Sequence, residues 1–290
     1  LWREERRIVA SSFSPAAVEK VRPTFGAASR SAMAGWTDGE VRDIAEDATR
    51  ATMLIIAEAL FSADPRLTSD EALHQIGAAL DGVAEPRIQL ILGLPRIPLS
   101  RKGRAGVRGL TYLRRTLSAL VDERLEGKVR SDDFLGLLIA ALAERFAPDQ
   151  ARSLAIDNAA TFYLAGHETT SNALAWTLYL LSEQPDLQDE LAREASAALA
   201  APGWSEQPLT AALPVLHAVL QESLRLYPPA PRFDRQAVEA DTLPNGAAVA
   251  PGDIISALLR AGPSPGATTI CRSVPARESA SAPSSRLRKR

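Results

Sequence analysis

Apolar residues recur at intervals of three and four through most of the first 226 residues, which is the period of an amphipathic helix. Prolines, glycines and capping residues separate the periodic segments. The pattern predicts helices from Ser14 to Ala34, Val41 to Asp64, Thr68 onward, Arg104 to Glu126, Ser131 to Arg145, Asp149 to Ser182, Pro185 onward and Pro214 to Leu226. Three of these starts have predicted caps: Ser14 ahead of Pro15, a capping box over Thr68–Glu71, and the hydroxyl of Ser131.

The longest predicted helix, over Asp149–Ser182, has its weakest point near the middle. Gly166 costs about 1 kcal/mol relative to alanine inside a helix. The hydroxyls of Thr169 and Thr170 can bond to the preceding turn and loosen it. We therefore expect one long helix that is irregular near Ala165–Thr169.

The pattern changes after the last predicted helix. Between Ala237 and Ile255, short alternating segments are separated by turn signals at Pro244–Gly246 and Pro251–Asp253. Such segments predict a small β-hairpin or meander. The predicted fold class is therefore mainly α, with one small β region.

The composition is that of a folded protein. The 290 residues are 46% hydrophobic and 23% charged, which excludes wholesale disorder, collagen-like repeats and a disulfide scaffold. The net charge of −2 creates no overall basic field, so we expect no nucleic-acid partner. The single cysteine excludes an internal disulfide and a multi-cysteine zinc site. No apolar segment approaches the roughly 18 residues of a membrane helix.

Both ends of the chain depart from this pattern. The sequence starts at Leu1 rather than at a methionine, which leaves open a targeting signal or membrane anchor upstream. The chain as written is predicted to be soluble and cytoplasmic. Residues 261–290 contain six basic residues and one acid, against 27 basic and 34 acidic residues before them. They are rich in serine, proline and alanine, so we expect a disordered basic tail.

A polar segment in the middle of the longest helix, Ala165–Thr170, is the best candidate for chemistry. Ala165 and Thr169 are four residues apart and share one face, where small side chains and a hydroxyl offer a flat surface to a planar ligand. Glu168 beside Thr169 forms an acid–alcohol pair that can pass protons. A solvent-exposed polar stripe explains the same residues equally well.

Histidine chemistry is the main competing interpretation. His167 and Glu168 open like the zinc-protease motif H-E-x-x-H, but the fifth position is Ser171, so the second zinc ligand is missing. His74 and His217 are isolated in helices, where a lone histidine is more often structural than a ligand. We therefore expect no metal ion held directly by these side chains.

Two further pairs have helical spacing. Glu222 and Arg225 are three residues apart, so their side chains can pair on one helix face. Trp2 and Arg6 are four residues apart, and an indole N–H beside a guanidinium can hold carboxylates. Taken alone, each pair is explained by an ordinary surface helix.

In this order, the three signals resemble the cytochrome P450 family of haem-thiolate monooxygenases. Ala165–Thr170 matches the family's oxygen-activation motif, Ala/Gly-Gly-x-Asp/Glu-Thr-Thr/Ser, without a mismatch. Glu222 and Arg225 match its E-x-x-R pair. Trp2 and Arg6 resemble the W-x-x-x-R that contacts the haem propionates. The first two motifs together are highly specific, whereas the tryptophan motif alone is weak.

The resemblance covers residues 1–258 and divides the chain there. The implied fold is the multi-helix cytochrome P450 fold with its small β region over Asp241–Asp253, incomplete at both ends. The family's N-terminal helices and its haem-binding loop, F-x-x-G-x-R-x-C-x-G, are absent, and Cys271 lacks the flanking residues of that loop. Residues 259–290 are predicted to be an unrelated tail, which a frameshift would explain.

The resemblance implies a haem b cofactor with its iron, and a role for the residues that match the oxygen-activation motif. Thr169 would hydrogen-bond to dioxygen, and Glu168 would deliver protons to it. Ala165 and Gly166 would line the distal face of the haem. These are the predicted catalytic and cofactor-binding residues of the long helix.

Further residues would hold or support the haem. Trp2, Arg6 and Arg235 would bind its propionates. Glu222 and Arg225 would be structural and would fix the helix beneath it.

The implied activity is insertion of one oxygen atom from dioxygen into a small apolar organic substrate, with electrons from a ferredoxin or flavin reductase. Because no cysteine stands where the iron needs its thiolate, we expect the chain as written to be inactive. One alternative is a haem-free helical remnant with no catalytic activity. The other is an unrelated helical binding protein, which the joint presence of two specific motifs disfavours.

Overall fold

The structure, a computed structural model, describes residues 2–10, 14–84, 100–128, 133–202, 209–244, 246–258 and 287–288. In these residues, helices precede a small β region. The helices are α1 (Trp2–Ala10), α2 (Pro15–Met33), α3 (Ile44–Phe61), α4 (Pro65–Thr68), α5 (Asp70–Ala84), α6 (Arg101–Leu125), α7 (Phe134–Ala143), α8 (Pro148–Ser182), α9 (Pro185–Ala200), α10 (Leu209–Ala212) and α11 (Pro214–Leu226). The strands are β1 (Arg232–Ala237), β2 (Asp241–Thr242), β3 (Ala248–Val249), β4 (Ile254–Leu258) and β5 (Leu287–Arg288).

The predicted fold class, mainly α with a small β region, is confirmed. Each helix predicted from the hydrophobic period is present, and its predicted bounds lie within three residues of those observed. The short helices α4 and α10 were not predicted, because four residues are too few to show a period. Within the described residues, no helix is long and apolar enough to cross a membrane.

The predicted capping residues are only partly right. Ser69 Oγ accepts a hydrogen bond from the Ala72 N–H at 3.2 Å, so the cap of α5 is Ser69 and not Thr68. Thr68 still belongs to α4, which is why it cannot begin the next helix. At α7 the cap is Asp133, whose Oδ1 accepts from the N–H three residues later at 2.9 Å. The predicted cap Ser131 lies outside the described residues.

The chain forms two compact units, residues 1–171 and 172–290. The boundary falls inside α8, so most of this helix belongs to the first unit and its C-terminal end belongs to the second. The Ala165–Thr170 segment is therefore part of the first unit, just before the boundary.

The core of the first unit is built by α3 to α7 and the N-terminal part of α8. Its most deeply buried side chains are aliphatic or aromatic and include Phe61, Leu67, Ile76, Leu113, Leu117, Leu120, Leu135, Leu142 and Tyr163. Phe134 and Phe162 meet edge to face, with ring centroids 5.1 Å apart. This packing fixes the part of α8 that carries the candidate chemistry.

Helices α5 and α6 approach each other backbone to backbone. A Cβ atom on Gly106 would lie 2.6 Å from the Gly82 Cα, and one on Gly109 would lie 2.1 Å from the Gln75 carbonyl oxygen. A side chain at either position would overlap backbone atoms, so the contact requires glycine. The three-residue spacing of Gly103, Gly106 and Gly109 is the signal in the sequence that could have predicted it.

A buried ion pair fixes the start of α7. Arg124 Nη2 donates to Asp133 Oδ2 at 2.7 Å, and both side chains are only 6% exposed. Ser62 Oγ donates to the same carboxylate oxygen at 2.9 Å. Because an unpaired buried charge is strongly destabilising, Arg124 and Asp133 stabilise the fold only as a pair.

The second unit combines the end of α8, helices α9 to α11 and the strands. Glu194 on α9 caps α11, because its carboxylate oxygens accept from the Val215 and Leu216 N–H groups at 2.7 and 3.0 Å. Thr177 Oγ1 donates to Ser223 Oγ at 2.9 Å and joins α8 to α11. Polar contacts therefore position α11, which carries the predicted Glu–Arg pair.

The β region confirms the predicted hairpin or meander. β1 and β4 pair antiparallel, with Asp234 opposite Ser256, and β2 and β3 form a short hairpin. Gly246 and Gly252 in the connecting turns have φ angles of 85° and 92°, in the left-handed region that favours glycine.

The basic tail contributes one short strand. β5 pairs antiparallel with the end of β1, so Leu287 and Arg288 have regular structure that the composition of the tail did not predict. The rest of the tail, with Cys271, lies outside the described residues. The division of the chain at residue 258 stays a prediction.

Candidate functional site

One face of α8 presents the predicted chemistry to solvent. Ala165, Glu168 and Thr169 are exposed. Thr169 Oγ1 donates to the Ala165 carbonyl oxygen at 2.9 Å, and Thr170 Oγ1 donates to the Gly166 carbonyl oxygen at 2.8 Å. Each hydroxyl donates its hydrogen to a helix carbonyl, and its oxygen lone pairs can still accept a hydrogen bond. The result is an open surface of small and polar groups.

The predicted irregularity of α8 is wrong, because the helix continues unbroken through this segment. The two threonine hydroxyls bond to carbonyls of the preceding turn without displacing the helix. Packing explains why residue 166 is a glycine, since a Cβ atom there would lie 2.7 Å from Ile56 Cδ1. A regular helix with a solvent-facing Thr169 does not by itself mark an oxygen-binding site. The roles of Thr169 and Gly166 beside a haem stay predictions.

The opposite face of the same segment is buried. Tyr163 and His167 are fully buried, and Ser171 is nearly so. His167 Nδ1 lies 2.8 Å from the Tyr163 carbonyl oxygen, which can only accept, so Nδ1 is the protonated nitrogen. Nε2 is then a buried acceptor with no hydrogen-bond partner among the described residues. Burial lowers the pKa of His167, against smaller opposing effects of the Tyr163 carbonyl and of Glu168.

This histidine is the residue that reasoning from the sequence missed. It lies two positions from Ala165, which places it about 200° around the helix from the exposed face. His167 therefore does not serve the Thr169 surface. The apolar residues three and four positions before it were the signal that this position faces the core.

Glu222 and Arg225 form the predicted pair on α11. Arg225 Nε and Nη2 donate to the two carboxylate oxygens of Glu222 at 2.7 and 2.6 Å, a two-pronged geometry. The side chains are 21% and 27% exposed, so the pair is neither fully buried nor a free surface pair. The hydrogen bonds from Arg225 to Glu222 raise the pKa of this arginine.

The three predicted propionate ligands lie on two elements. Trp2 and Arg6 lie one turn apart on α1 in the first unit, and the Arg6 side chain is exposed. Arg235 lies on β1 in the second unit. Its Nη1 donates to the Asp234 carbonyl oxygen at 2.8 Å, and its guanidinium carbon lies 4.8 Å from the Phe233 ring centroid. Their joint role at a haem stays a prediction.

Metal-binding side chains do not cluster in the described part of the chain. No group of three or more histidine, cysteine, aspartate or glutamate side chains could hold a metal ion there.

Comparison with known proteins decides the family. The sequence profile of the cytochrome P450 family matches residues 1–261, nine-tenths of the chain. The chain belongs to the cytochrome P450 family. The matched residues of this cytochrome P450 chain include Trp2, Arg6, the Ala165–Thr170 segment, Glu222 and Arg225.

Comparison with three relatives shows what fraction of a cytochrome P450 protein this chain covers. A self-sufficient cytochrome P450 monooxygenase of Aspergillus niger is 28% identical over 268 residues, which are 90% of this chain and 24% of that protein. Cyclooctat-9-en-7-ol 5-monooxygenase of Streptomyces melanosporofaciens is 28% identical, over 78% of this chain and 49% of the relative. Cytochrome P450 monooxygenase 128 of Postia placenta is 31% identical, over 84% and 51%. The chain spans about half, or less, of the curated relatives it matches.

The family implies a haem b, and the described residues fit one side of it. The small exposed side chains of Ala165 and Thr169 leave space for a flat ring on α8. No cysteine is present among the described residues to act as the thiolate ligand, and Cys271 lies outside them. The roles of Ala165 and Thr169 at a haem stay predictions.

Proposed function

We propose that this chain supplies the dioxygen side of a haem monooxygenase, which inserts one oxygen atom from dioxygen into a small apolar organic substrate. The match to the cytochrome P450 family over residues 1–261 carries the proposal, because it includes the whole Ala165–Thr170 segment. The relatives described above are named monooxygenases. The electrons come from a redox partner, a ferredoxin or a flavin reductase.

The exposed face of α8 would pack against the ring. Ala165 supports this role because a methyl group leaves the ring room to lie close to the helix. When bound, the haem supplies the activation of dioxygen, which no side chain can perform. The Thr169 hydroxyl donates to the helix and directs its lone pairs outward, so it can accept a hydrogen bond from water or an acid. Glu168 is exposed beside it and can exchange protons with solvent.

The remaining predicted residues would hold the ring in place. The guanidinium groups of Arg6 and Arg235 suit carboxylates because they donate in a planar fork, and Trp2 adds one indole N–H. Glu222 and Arg225 would act through structure, since each satisfies the hydrogen bonds of the other.

Haem titration of the purified 290-residue chain tests the proposal. We expect a Soret band to develop to a fixed stoichiometry and to shift when the reduced protein binds carbon monoxide. Ala165→Trp should weaken haem binding because the indole would fill the surface on which the ring packs. The matched control is Ala197→Trp, which places the same side chain at an exposed position of α9.

The alternative is a helical remnant that binds no haem. It predicts no saturable Soret band, or a band that Ala165→Trp and Ala197→Trp leave equally unchanged. Either result would overturn the proposal.

A further inference from the structure

A cleft in the first unit lies outside the residues considered so far. It is about 570 Å³ in volume and is lined by Arg66 of α4, Gln75 of α5 and one side of α6 between Val107 and Ala119. This volume is within the usual range of small-molecule sites. The motif residues of α8 do not line it.

The charge of the cleft is positive and unbalanced. Arg66 is paired with two carboxylates, because it donates to Asp64 and to Glu123 at 2.8 Å each, so its positive charge is more than offset. Arg108 and Arg115 are exposed, and neither has a hydrogen bond or ion pair with any other described residue. No carboxylate belongs to the described lining of the cleft. Two guanidinium groups therefore remain available to a ligand.

One hydroxyl in the cleft is also available. Thr116 is 8% exposed and makes no hydrogen bond to another described residue. The two other hydroxyls of the lining are engaged, since Thr111 donates to the Val107 carbonyl oxygen and Tyr112 to the Arg66 carbonyl oxygen. Thr116 and Arg115 both line the cleft, and the long arginine side chain can extend to a head group that the hydroxyl binds.

The rest of the α6 wall is apolar. Val107 is 49% exposed, although valine is usually buried. It lines the cleft together with the ring of Tyr112 and the methyl group of Ala119. Arginine stems add further methylene surface under their charged heads. The lining thus combines a strip of apolar surface with two free cations.

We infer that this cleft binds an amphipathic organic anion, which has one carboxylate or phosphate head and an apolar body. Arg115 and Thr116 hold the head. Arg108 also lines the cleft, two helical turns away or about 10.5 Å along the axis, and its positive charge adds to the attraction for the same anion. The apolar body extends from the head along α6 over Tyr112 and Val107. This site does not depend on the proposed haem chemistry.

The test uses decanoate as the probe. Calorimetric titration of the 290-residue chain should show saturable binding of decanoate and much weaker binding of decanol, which lacks the charge, and of acetate, which lacks the chain. Arg108→Gln and Arg115→Gln should each weaken decanoate binding about threefold, and together about tenfold, as expected for exposed ion pairs. Arg101→Gln is the matched control, since Arg101 is exposed on the same helix and does not line the cleft.

Cross-linking locates the bound probe. A decanoate analogue with a diazirine at the end of its chain should label peptides from Val107–Ala119 after irradiation. Labelling there should fall in the Arg108→Gln/Arg115→Gln double variant and persist in Arg101→Gln. Labelling confined to other segments, equal binding of decanol, or an equal loss in Arg101→Gln would each overturn the inference. Decyl phosphate in place of decanoate distinguishes the two head groups by their affinities.

Discussion

The two faces of α8 between residues 163 and 171 have opposite environments. Tyr163 and His167 are fully buried, and their side chains are tied to the first unit. Ala165, Glu168 and Thr169 are exposed. Side chains that take no part in packing can be exchanged or can bind a ligand at little expense to the fold. The comparison therefore separates the residues that hold the helix from those that are free to do chemistry.

Removing Tyr163 should have the largest effect. Its hydroxyl donates to the Leu67 carbonyl oxygen at 2.8 Å, and its ring centroid lies 5.7 Å from that of Phe61. Tyr163→Ala should lower the free energy of unfolding by about 3–5 kcal/mol, because it leaves a cavity and an unpaired carbonyl. Urea unfolding followed by circular dichroism measures it. Tyr163→Phe keeps the ring and should lose only about 1 kcal/mol; an equal loss in both variants would mean that the ring contributes nothing.

Glu222→Ala should have an intermediate effect. The pair with Arg225 is partly exposed, at 21% and 27%, so we expect a loss of about 1 kcal/mol rather than the full cost of a buried charge. A double-mutant cycle with Arg225→Ala, read from thermal unfolding, measures the coupling. If the two single losses simply add, the hydrogen bonds between the side chains do not stabilise α11.

Acidification should lower the free energy of unfolding through His167 on the buried face. Burial holds the pKa of this histidine below its ordinary value of 6.5, so the unfolded chain binds the proton more readily than the folded one. The contribution of His167 to the free energy of unfolding should be constant well above the ordinary pKa of 6.5 and should fall as the pH drops below it. Unfolding free energies measured between about pH 7.5 and 5.5 keep clear of the carboxylate titrations.

The control for this effect is His167→Gln, which cannot ionise. Its stability should depend less on pH over the same interval, because the other two histidines are present in both proteins. Identical pH profiles for the two proteins would show that the buried face does not titrate.

Substitutions on the exposed face should have the smallest effect on folding. Thr169→Ala and Glu168→Gln should change the free energy of unfolding by no more than about 0.5 kcal/mol. In a protein that also carries the cysteine loop, Thr169→Ala should uncouple electron consumption from product formation. There, Glu168→Gln should slow proton delivery while haem content is retained. A clear loss of haem content in Thr169→Ala and Glu168→Gln would contradict a catalytic assignment.

Helices were the part of the fold that the sequence predicted well. Their apolar period extends over many residues, and prolines or glycines mark many of their ends. Caps were less certain because two adjacent residues can offer the same hydroxyl, as Thr68 and Ser69 do. Thr68 is the last residue of α4, so Ser69 caps α5. The sequence did not show this because α4 is too short to have a visible hydrophobic period.

The candidate site was predicted through its motif rather than through its local geometry. Gly166 and the threonines suggested a loosened helix, yet α8 is regular, and Gly166 instead leaves room for Ile56 on α3. That contact joins residues more than a hundred positions apart, and no local pattern contains it. The buried orientation of His167 was predictable in principle, since Tyr163 one turn before it belongs to the same apolar stripe.

The backbone contact between α5 and α6 limits how this protein can diverge. Where two side chains meet, an enlargement on one helix can be matched by a reduction on the other. At Gly106 and Gly109 the opposing atoms are the Gly82 Cα and the Gln75 carbonyl oxygen, which no substitution on α5 can remove. An added methyl group on α6 therefore has no compensating partner, and related sequences that keep this interface are expected to keep both glycines.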